Sequence, residues 1–265
     1  MSQATERAAM PKGTHAALEH RTVFNANQNL LPIIKPGDHI LDVGCGSGSI
    51  TASIAALVGN TGSVTGIDTS EHLITLAREN YASLNNVHFE IADILQYTAA
   101  VQYDIVTAAR VLQWVENPKA ILQQMTALVK RDGYITVLDY NHEKIQWSPA
   151  VPTSMNTFYK AFLQWRKDAG MNNQLADHLA DMFCAAGLHN ITVTDHAEIA
   201  KSIDPDFSSR INIWTIVANT RGKQMVQDGF LTEIERAAAE EDYRYWAITN
   251  AQTMHMYLFA VTGQK

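Results

Sequence analysis

Between residues 39 and 139, short apolar runs alternate with longer segments whose apolar residues recur at helical spacing. Five runs have the length and composition of strands: His39–Val43, 63–67, Val87–Ile91, Tyr103–Ala109 and 134–139. The segments between them predict helices over 48–58, 70–84 and 117–130, with Ser70 and Pro118 at the starts of the last two. This alternation predicts right-handed βαβ units and an α/β fold with a parallel sheet.

Beyond residue 140 the alternation stops, and the segment 143–170 is rich in aromatic residues. We expect a helix over 174–186, a strand over 190–199, mainly helices over 205–247 and a final strand over 253–262, with an N-terminal helix over 15–31. The expected organisation is one catalytic domain, 1–265. Its core comprises 28–142, 174–200 and 250–265, and a helical cap comprises 1–27, 143–173 and 201–249.

Two apolar features of the predicted cap bear on function. Its aromatic residues either line a pocket or pack the cap onto the core; they are Trp147, Phe158, Phe162, Trp165, Trp214 and Trp246. A second set recurs at helical spacing and is expected in the core: Leu231, Ile234, Ala238 and Tyr245. Ligands of open α/β sheets bind at the carboxyl ends of the strands, which this cap would cover.

The net charge of −7 disfavours a surface for nucleic acid. The two cysteines, Cys45 and Cys184, do not suggest a disulfide framework and favour a reducing cytoplasm. No apolar run approaches the roughly 20 residues that span a bilayer, and residues 1–12 do not resemble a signal peptide. We assign no metal site.

The first predicted strand runs into the sequence Asp42-Val43-Gly44-Cys45-Gly46-Ser47-Gly48, which then enters a helix. Glycines tolerate positive φ and let a ligand approach the backbone, and a helix N-terminus favours an anionic group. An acid at the tip of strand two, Asp68, is placed to accept both hydroxyls of a ribose, and Asp93 at the tip of strand three could accept from an adenine amine. Either acid alone is also typical of a turn or a helix cap, but together with the glycines they predict an adenosine site.

The ordered segments LDVGCGSG, GIDTS, ADI, YDIVTAARVLQWVENP and DGYITV resemble the class I S-adenosylmethionine-dependent methyltransferases. The similarity is closest to the small-molecule branch that includes ubiquinone-biosynthesis-type and trans-aconitate-type enzymes. It implies a Rossmann-like sheet of seven strands in a three-layer α/β/α sandwich. The last strand would be antiparallel, with strands six and seven at 193–199 and 256–262.

The resemblance also implies roles for individual residues around S-adenosylmethionine. Asp42 would face the amino end of its methionine moiety, Asp68 the ribose and Asp93 the adenine amine. Arg110 would either pair with the cofactor carboxylate or pack through its stem, and Arg21 is either a second carboxylate partner or a surface charge. The remaining expected cofactor contacts are Gly44, Cys45, Gly46, Gly48, Thr69, Ala92, Ile94 and Ala109.

The sulfonium of this cofactor already activates the methyl group, so the protein mainly aligns the acceptor nucleophile. His142 and Tyr140 follow strand five and are the candidate catalytic residues, with His142 as a general base or, alternatively, a loop histidine facing water. His20 is a weaker candidate. The chain lacks Asn-Pro-Pro-Tyr after strand four, which disfavours methylation of amide or adenine nitrogens. Oxygen, nitrogen, carbon and sulfur acceptors all stay open.

Two other functions compete with methyl transfer to a small molecule. A nicotinamide-dependent dehydrogenase also has a glycine turn and a strand-two acid, but its fingerprint GxGxxG requires glycine where this chain has Ser49. A non-catalytic module could bind adenosylmethionine without turnover. The sequence predicts neither the acceptor nor the oligomeric state.

Overall fold

The computed structural model describes residues 3–9 and 20–265, and its centre is one twisted sheet. The eight strands are β1 (His39–Val43), β2 (Ser63–Asp68), β3 (Val87–Ile91), β4 (Tyr103–Ala109), β5 (Val129–Ser148), β6 (His189–Asp195), β7 (Glu198–Lys201) and β8 (Thr253–Gln264). Their order is β3-β2-β1-β4-β5-β8-β6, and β7 also pairs with β8. Strands β1 to β5 are parallel, whereas β8 runs antiparallel to its neighbours. The predicted α/β fold with an antiparallel last strand is confirmed.

Helices cover both faces of this sheet. The described helices are α1 (Gln3–Ala8), α2 (Val23–Ala26), α3 (Ser49–Val58), α4 (Glu71–Asn80), α5 (Pro118–Leu128), α6 (Thr153–Asp168), α7 (Leu175–Ala185), α8 (Phe207–Ile211), α9 (Ile213–Asn219), α10 (Arg221–Gln227) and α11 (Glu233–Thr249). Helices α3 and α4 form one apolar cluster with the sheet, and α5 and α7 form the other. No helix in the described ranges is both long and apolar enough to cross a membrane.

The alternation of side chains along β1 decides where its acid lies. Leu41 and Val43 are buried in the cluster with α5 and α7, and Ile40 is buried in the cluster with α3. Because successive side chains of a strand point to opposite faces, Asp42 shares the α3 face with Ile40. It is there that Thr51 of α3 contacts the Asp42 carboxylate.

The cap has an aromatic core of its own. Phe158, Phe162, Trp165 and Trp214 are each at most 3% exposed and belong to one cluster. The ring centroids of Phe162 and Trp214 lie 5.4 Å apart in an edge-to-face arrangement, which is a favoured geometry for aromatic pairs. Packing of the cap is therefore the role of these four rings, whereas Trp147 is only partly buried.

Three predicted elements differ from the structure. The strand expected over 190–199 is divided into β6 and β7 by a turn in which the backbone N–H of Ala197 donates to Asp195 Oδ1 at 2.8 Å. The described part of the chain therefore forms eight strands rather than seven. Strand β5 continues to Ser148, six residues into the predicted cap, because it keeps pairing with β8. The part of the helix 15–31 that lies at 15–19 is outside the described residues, and the rest is interrupted at Asn27.

The predicted core stripe of α11 is wrong at two of its positions. Ile234 is 82% exposed and Tyr245 is 69% exposed, whereas the neighbouring Tyr243 is fully buried. The buried face of α11 carries the ion pair between Arg236 and Glu240, whose nitrogen and oxygen are 2.5 Å apart. This charged pair makes the buried face look polar in the sequence, so apolar spacing selected the opposite face.

Candidate cofactor and acceptor site

The three glycines of the first strand-to-helix turn all have positive φ, at 71° for Gly44, 56° for Gly46 and 84° for Gly48. A Cβ on Gly44 would lie 2.5 Å from Val111, and one on Gly48 would lie 2.6 Å from the Phe89 ring. A Cβ on Gly46 would have no described atom within 4 Å. Gly44 and Gly48 thus allow close packing inside the protein, while Gly46 borders open space that a ligand could occupy.

Asp68 ties this turn to the tip of β2. Its Oδ2 accepts from the Gly46 N–H at 3.0 Å, and its Oδ1 accepts from the Ser70 N–H at 2.9 Å. Burial raises the pKa of Asp68, although these hydrogen bonds oppose the shift. Each carboxylate oxygen has two acceptor lone pairs, so both oxygens keep capacity for a ligand hydroxyl. The geometry fits the predicted ribose site.

Asp42 is 3% exposed and accepts a hydrogen bond from Thr51 Oγ1 at 2.6 Å. Burial, and secondarily the charge of Asp68, raises the pKa of Asp42 to about 7. No Lys, Arg or His side chain in the described part of the chain forms an ion pair with it. A buried carboxylate of this kind is stabilised by a cationic ligand group, which fits the ammonium of the methionine moiety.

The other residues predicted around the adenosine lie at the neighbouring strand tips. Asp93 is exposed, and its Oδ1 accepts from the Leu95 N–H at 3.0 Å. Thr69 is exposed, and Ala92, Cys45 and Ala109 are half-buried. Ile94 is only 6% exposed and packs in the same cluster as Val43 and Ile67, so its side chain belongs to the core.

A second polar cluster begins at the tip of β4, where Arg110 has φ of 62°. Its guanidinium donates from Nε to the Tyr140 hydroxyl at 3.0 Å, from Nη1 to the Ala26 carbonyl at 2.9 Å and from Nη2 to Glu198 Oε1 at 2.6 Å. The Tyr140 hydroxyl donates to Glu198 Oε2 at 2.8 Å and completes the triangle. Left-handed backbone costs a non-glycine residue about 1–2 kcal/mol, and these contacts hold it there.

Arg21 lies beside the same cluster. Burial lowers its pKa and the charge of Arg110 adds to this effect, while Tyr140 and Glu198 oppose it. For Arg110, burial alone would lower the pKa, but Tyr140 and Glu198 raise it overall. Burial also raises the pKa of Tyr140 to about 12, so its hydroxyl keeps the proton at neutral pH. Two arginines face one glutamate, and the cluster has a surplus positive charge.

His142 is held by protein groups on several sides. The ring nitrogen Nε2 hydrogen-bonds Gln113 Oε1. The backbone N–H of His142 donates to the Asn173 carbonyl at 2.7 Å, and its backbone carbonyl accepts from the Tyr159 hydroxyl at 2.5 Å. Burial, and then the charge of Arg166, lowers the pKa of His142 well below its ordinary value. The ring is therefore a neutral imidazole at physiological pH. His20, the weaker candidate, is exposed.

Arg166 and Asp139 are buried side chains that bond the backbone next to His142. Arg166 is fully buried, donates to the Gln113 carbonyl at 2.8 Å, and lies 4.5 Å from the centroid of the Trp114 ring. Asp139 accepts from the backbone N–H groups of Gln113 and Tyr140, each at 3.0 Å. Burial raises the pKa of Asp139 to about 7 and lowers the pKa of Arg166 to about 10.

Four residues in these clusters were missed by sequence reasoning: Gln113, Asp139, Arg166 and Glu198. Gln113 stands in the LQW segment at the tip of strand four, so its position was a usable signal. Glu198 is 88 residues from Arg110, and nothing in the local sequence indicates their pairing. No group of three His, Cys, Asp or Glu side chains in the described residues is placed to hold a metal ion.

Comparison with known proteins identifies the family. A family model described as a methyltransferase domain matches residues 34–206. The demethylmenaquinone methyltransferase of Alkalihalophilus pseudofirmus is 26% identical over 179 residues, which covers 62% of this chain and 75% of that protein. The enzyme of the same name from Shouchella clausii is 28% identical over 178 residues, with 62% and 75% covered.

Among solved structures, a methyltransferase of Thiobacillus denitrificans in complex with S-adenosylhomocysteine has a TM-score of 0.55 at 16% identity, covering 96% of this chain and 99% of that one. This likeness shows the shared fold. The family match overturns the dehydrogenase alternative and agrees with the serine at position 49. The chain belongs to the methyltransferase-domain family, and its resemblance to the class I S-adenosylmethionine-dependent small-molecule methyltransferases is confirmed.

Proposed function

We propose that the glycine turn and the Arg110 cluster hold the two ends of the methionine moiety of S-adenosylmethionine. The observation that carries this assignment is the buried Asp42 carboxylate, which has a hydrogen-bonding hydroxyl but no cationic partner among the described residues. On the other side, Arg21 adds positive charge that Glu198 alone does not balance. A zwitterion with its ammonium near Asp42 and its carboxylate near Arg21 balances both the unpaired negative charge and the surplus positive charge.

The adenosine then lies along the tips of β2 and β3. Asp68 accepts from the ribose hydroxyls while it keeps the Gly46 N–H in place. Asp93, which is exposed, accepts from the adenine amine. Gly44, Cys45 and Gly48 shape the turn, and the remaining contacts are those of Thr69, Ala92, Ala109 and the backbone of Ile94, whose side chain lies in the core.

Arg110 and Tyr140 act as positioning residues in this proposal, because the hydroxyl of Tyr140 already bonds Arg110 and Glu198. The bound cofactor supplies a methyl group activated by a sulfonium. His142, a neutral imidazole, accepts the proton that the nucleophile of the acceptor loses as it takes the methyl. General-base help of this kind contributes about 10²–10⁴ to the rate.

We place this reaction in a reducing, cytoplasmic environment, in keeping with two free cysteines. The acceptor is a small organic molecule, and the net charge of −7 disfavours nucleic acid in that role.

Calorimetry with S-adenosylhomocysteine tests the cofactor site. We expect binding at micromolar affinity or better, at least tenfold weaker for Asp68→Ala and unchanged for the control Asp181→Ala, which alters an exposed residue of α7. Asp93→Asn should weaken binding less than Asp68→Ala, because the exposed carboxylate is screened by water. Absence of binding to the wild type would contradict the assignment.

Turnover tests His142. Release of S-adenosylhomocysteine is followed with a panel of small acceptors, including a demethylmenaquinol because enzymes of that name are among the relatives. We expect His142→Asn to lower kcat about 10²-fold or more with cofactor affinity unchanged, and His178→Asn, an exposed control on α7, to have no effect. Unchanged kcat in His142→Asn would rule out His142 as the general base. Binding of the cofactor without turnover of any acceptor would favour a non-catalytic module.

A further inference from the structure

Hydrogen bonds to the backbone of Gln113 hold this residue in place independently of its side chain. It is 2% exposed and lies in the short 3-10 turn Leu112–Trp114 after β4. Its N–H donates to Asp139 Oδ2 at 3.0 Å, and its carbonyl accepts from Arg166 Nη2 at 2.8 Å. Two buried charged side chains from β5 and α6 thus hold one residue in place.

The orientation of the Gln113 amide follows from its other partner. Its Nε2 donates to the Arg110 carbonyl at 3.3 Å, so its Oε1 is the atom that meets His142 Nε2. A carbonyl oxygen only accepts hydrogen bonds, so His142 Nε2 must carry a proton. In a neutral imidazole the other nitrogen, Nδ1, is then the acceptor.

We propose that Gln113 is a positioning residue that holds His142 as the Nε2–H tautomer and leaves Nδ1 as the proton acceptor for the methylation reaction. The inference rests on the proposed role of His142 as the base. Nδ1 makes no hydrogen bond to any described residue, and the His142 side chain is only partly buried. Because Oε1 accepts from both the neutral and the protonated ring, the same contact persists when Nδ1 takes up a proton.

A neutral amide also has a different effect from a carboxylate at this position. The described groups that face His142 include the Arg166 guanidinium, the Phe162 ring and the Tyr159 hydroxyl from α6, the last of which bonds the His142 backbone carbonyl. The Tyr140 ring from β5 and Gln113 from the turn also face it. No carboxylate of the described residues bonds the imidazole, so the ring is oriented without a negative charge that would raise its pKa. His142 therefore starts the reaction unprotonated.

Nitrogen NMR of the full-length protein labelled with ¹⁵N-histidine, with S-adenosylhomocysteine bound, tests the tautomer directly. His142→Asn identifies the signals of His142 among those of the ten histidines. We expect Nε2 at the shift of a protonated nitrogen and Nδ1 at that of an unprotonated one. A wild-type spectrum with the proton on Nδ1 overturns the inference, even if neither Gln113 variant folds.

Two substitutions separate positioning from a merely structural role. Gln113→Leu should mix the tautomers and lower kcat at least tenfold at unchanged KM, whereas Gln113→Glu should keep the tautomer and raise the pKa of His142 by about one unit or more, moving the acid limb of the pH–kcat profile upward. Gln124→Leu is the control, because Gln124 Nε2 also donates to a backbone carbonyl, that of Tyr97. A pure Nε2–H tautomer in Gln113→Leu would overturn the inference. Unchanged kcat in His142→Asn would instead overturn the base and leave the tautomer assignment standing.

Discussion

The two polar clusters at the carboxyl edge of the sheet are built in opposite ways. The glycine-turn cluster joins residues close in the sequence, within 42–51 and 66–70, mainly through backbone groups and one buried carboxylate. The Arg110 cluster joins the side chains of Arg110 after β4, Tyr140 within β5 and Glu198 of β7, together with the backbone carbonyl of Ala26 from the N-terminal segment. The first lacks a positive charge and the second has a surplus. In the proposed function, the cluster built from local backbone geometry binds one end of a zwitterionic ligand, and the cluster built from long-range charge pairing binds the other.

The largest effect should come from breaking the long-range cluster. Arg110→Met removes the guanidinium that bonds Glu198, Tyr140 and the Ala26 carbonyl and leaves Arg21 as the remaining cation beside them. Removing one member of a buried ion pair typically costs about 3–5 kcal/mol. We expect the free energy of unfolding, measured by chemical denaturation, to fall by about this amount.

The double variant Arg110→Met/Glu198→Gln is the matched comparison, because it removes both charges of this pair and should recover part of the loss, while Arg21 keeps its charge beside the cluster. Equal unfolding free energies for the single and double variants would mean that the pair itself does not hold the cluster. The pKa of Glu198 is lowered, after a counteracting burial effect, by Arg110 and Arg21. The ionised Glu198 therefore contributes its full stabilisation above the ordinary pKa of a glutamate, and this stabilisation is lost as the pH falls through the lowered pKa of the folded protein.

The next effect separates two glycines of the local cluster. Gly48→Ala combines positive φ with a Cβ placed 2.6 Å from Phe89, and we expect a loss of about 2–4 kcal/mol in unfolding free energy. Gly46→Ala also has positive φ but meets no described atom, so about 1–2 kcal/mol is expected.

Affinity for S-adenosylhomocysteine gives a second comparison of the two glycine variants. The methyl group of Gly46→Ala enters the space assigned to the cofactor, so the variant should stay folded and bind at least tenfold more weakly. Full affinity in folded Gly46→Ala would place the cofactor away from the turn.

The same contrast explains what the sequence predicted. The tips of strands one to three were predictable because a strand, its turn and the next helix are contiguous, and the three glycines and Asp68 lie where expected. The parallel arrangement of the first five strands also followed from the βαβ alternation.

The long-range partners could not be predicted in this way. Glu198 occupies an alternating segment that predicted one strand, whereas the structure has a turn at Asp195 closed by a side-chain hydrogen bond, and β7 pairs with β8 beyond it. Helix α11 is a second case, since a buried Arg236–Glu240 pair reversed the apparent polarity of its two faces. Apolar spacing identifies a helix, but paired charges decide which face it buries.

The smallest effect is a proton linkage at Asp42. Its pKa is raised to about 7 in the protein without ligand, so it binds a proton more tightly than in the unfolded chain, and stability falls as the pH rises from about 4 to about 7. An ammonium group placed beside it would lower this pKa. Binding of S-adenosylhomocysteine should therefore release a proton, and affinity should fall by up to about tenfold per unit as the pH drops below about 7.

Calorimetry in buffers of different ionisation enthalpy measures this release, which should be close to one proton near about pH 6 and almost none near about pH 8.5. Asp42→Asn should bind more weakly, with an affinity that no longer depends on pH over this range. Asp139 also has a pKa of about 7, but it faces the backbone N–H groups of Gln113 and Tyr140 rather than the glycine turn. Release that persists in Asp42→Asn and disappears in Asp139→Asn would therefore move the ammonium site from the glycine turn to the surroundings of Asp139.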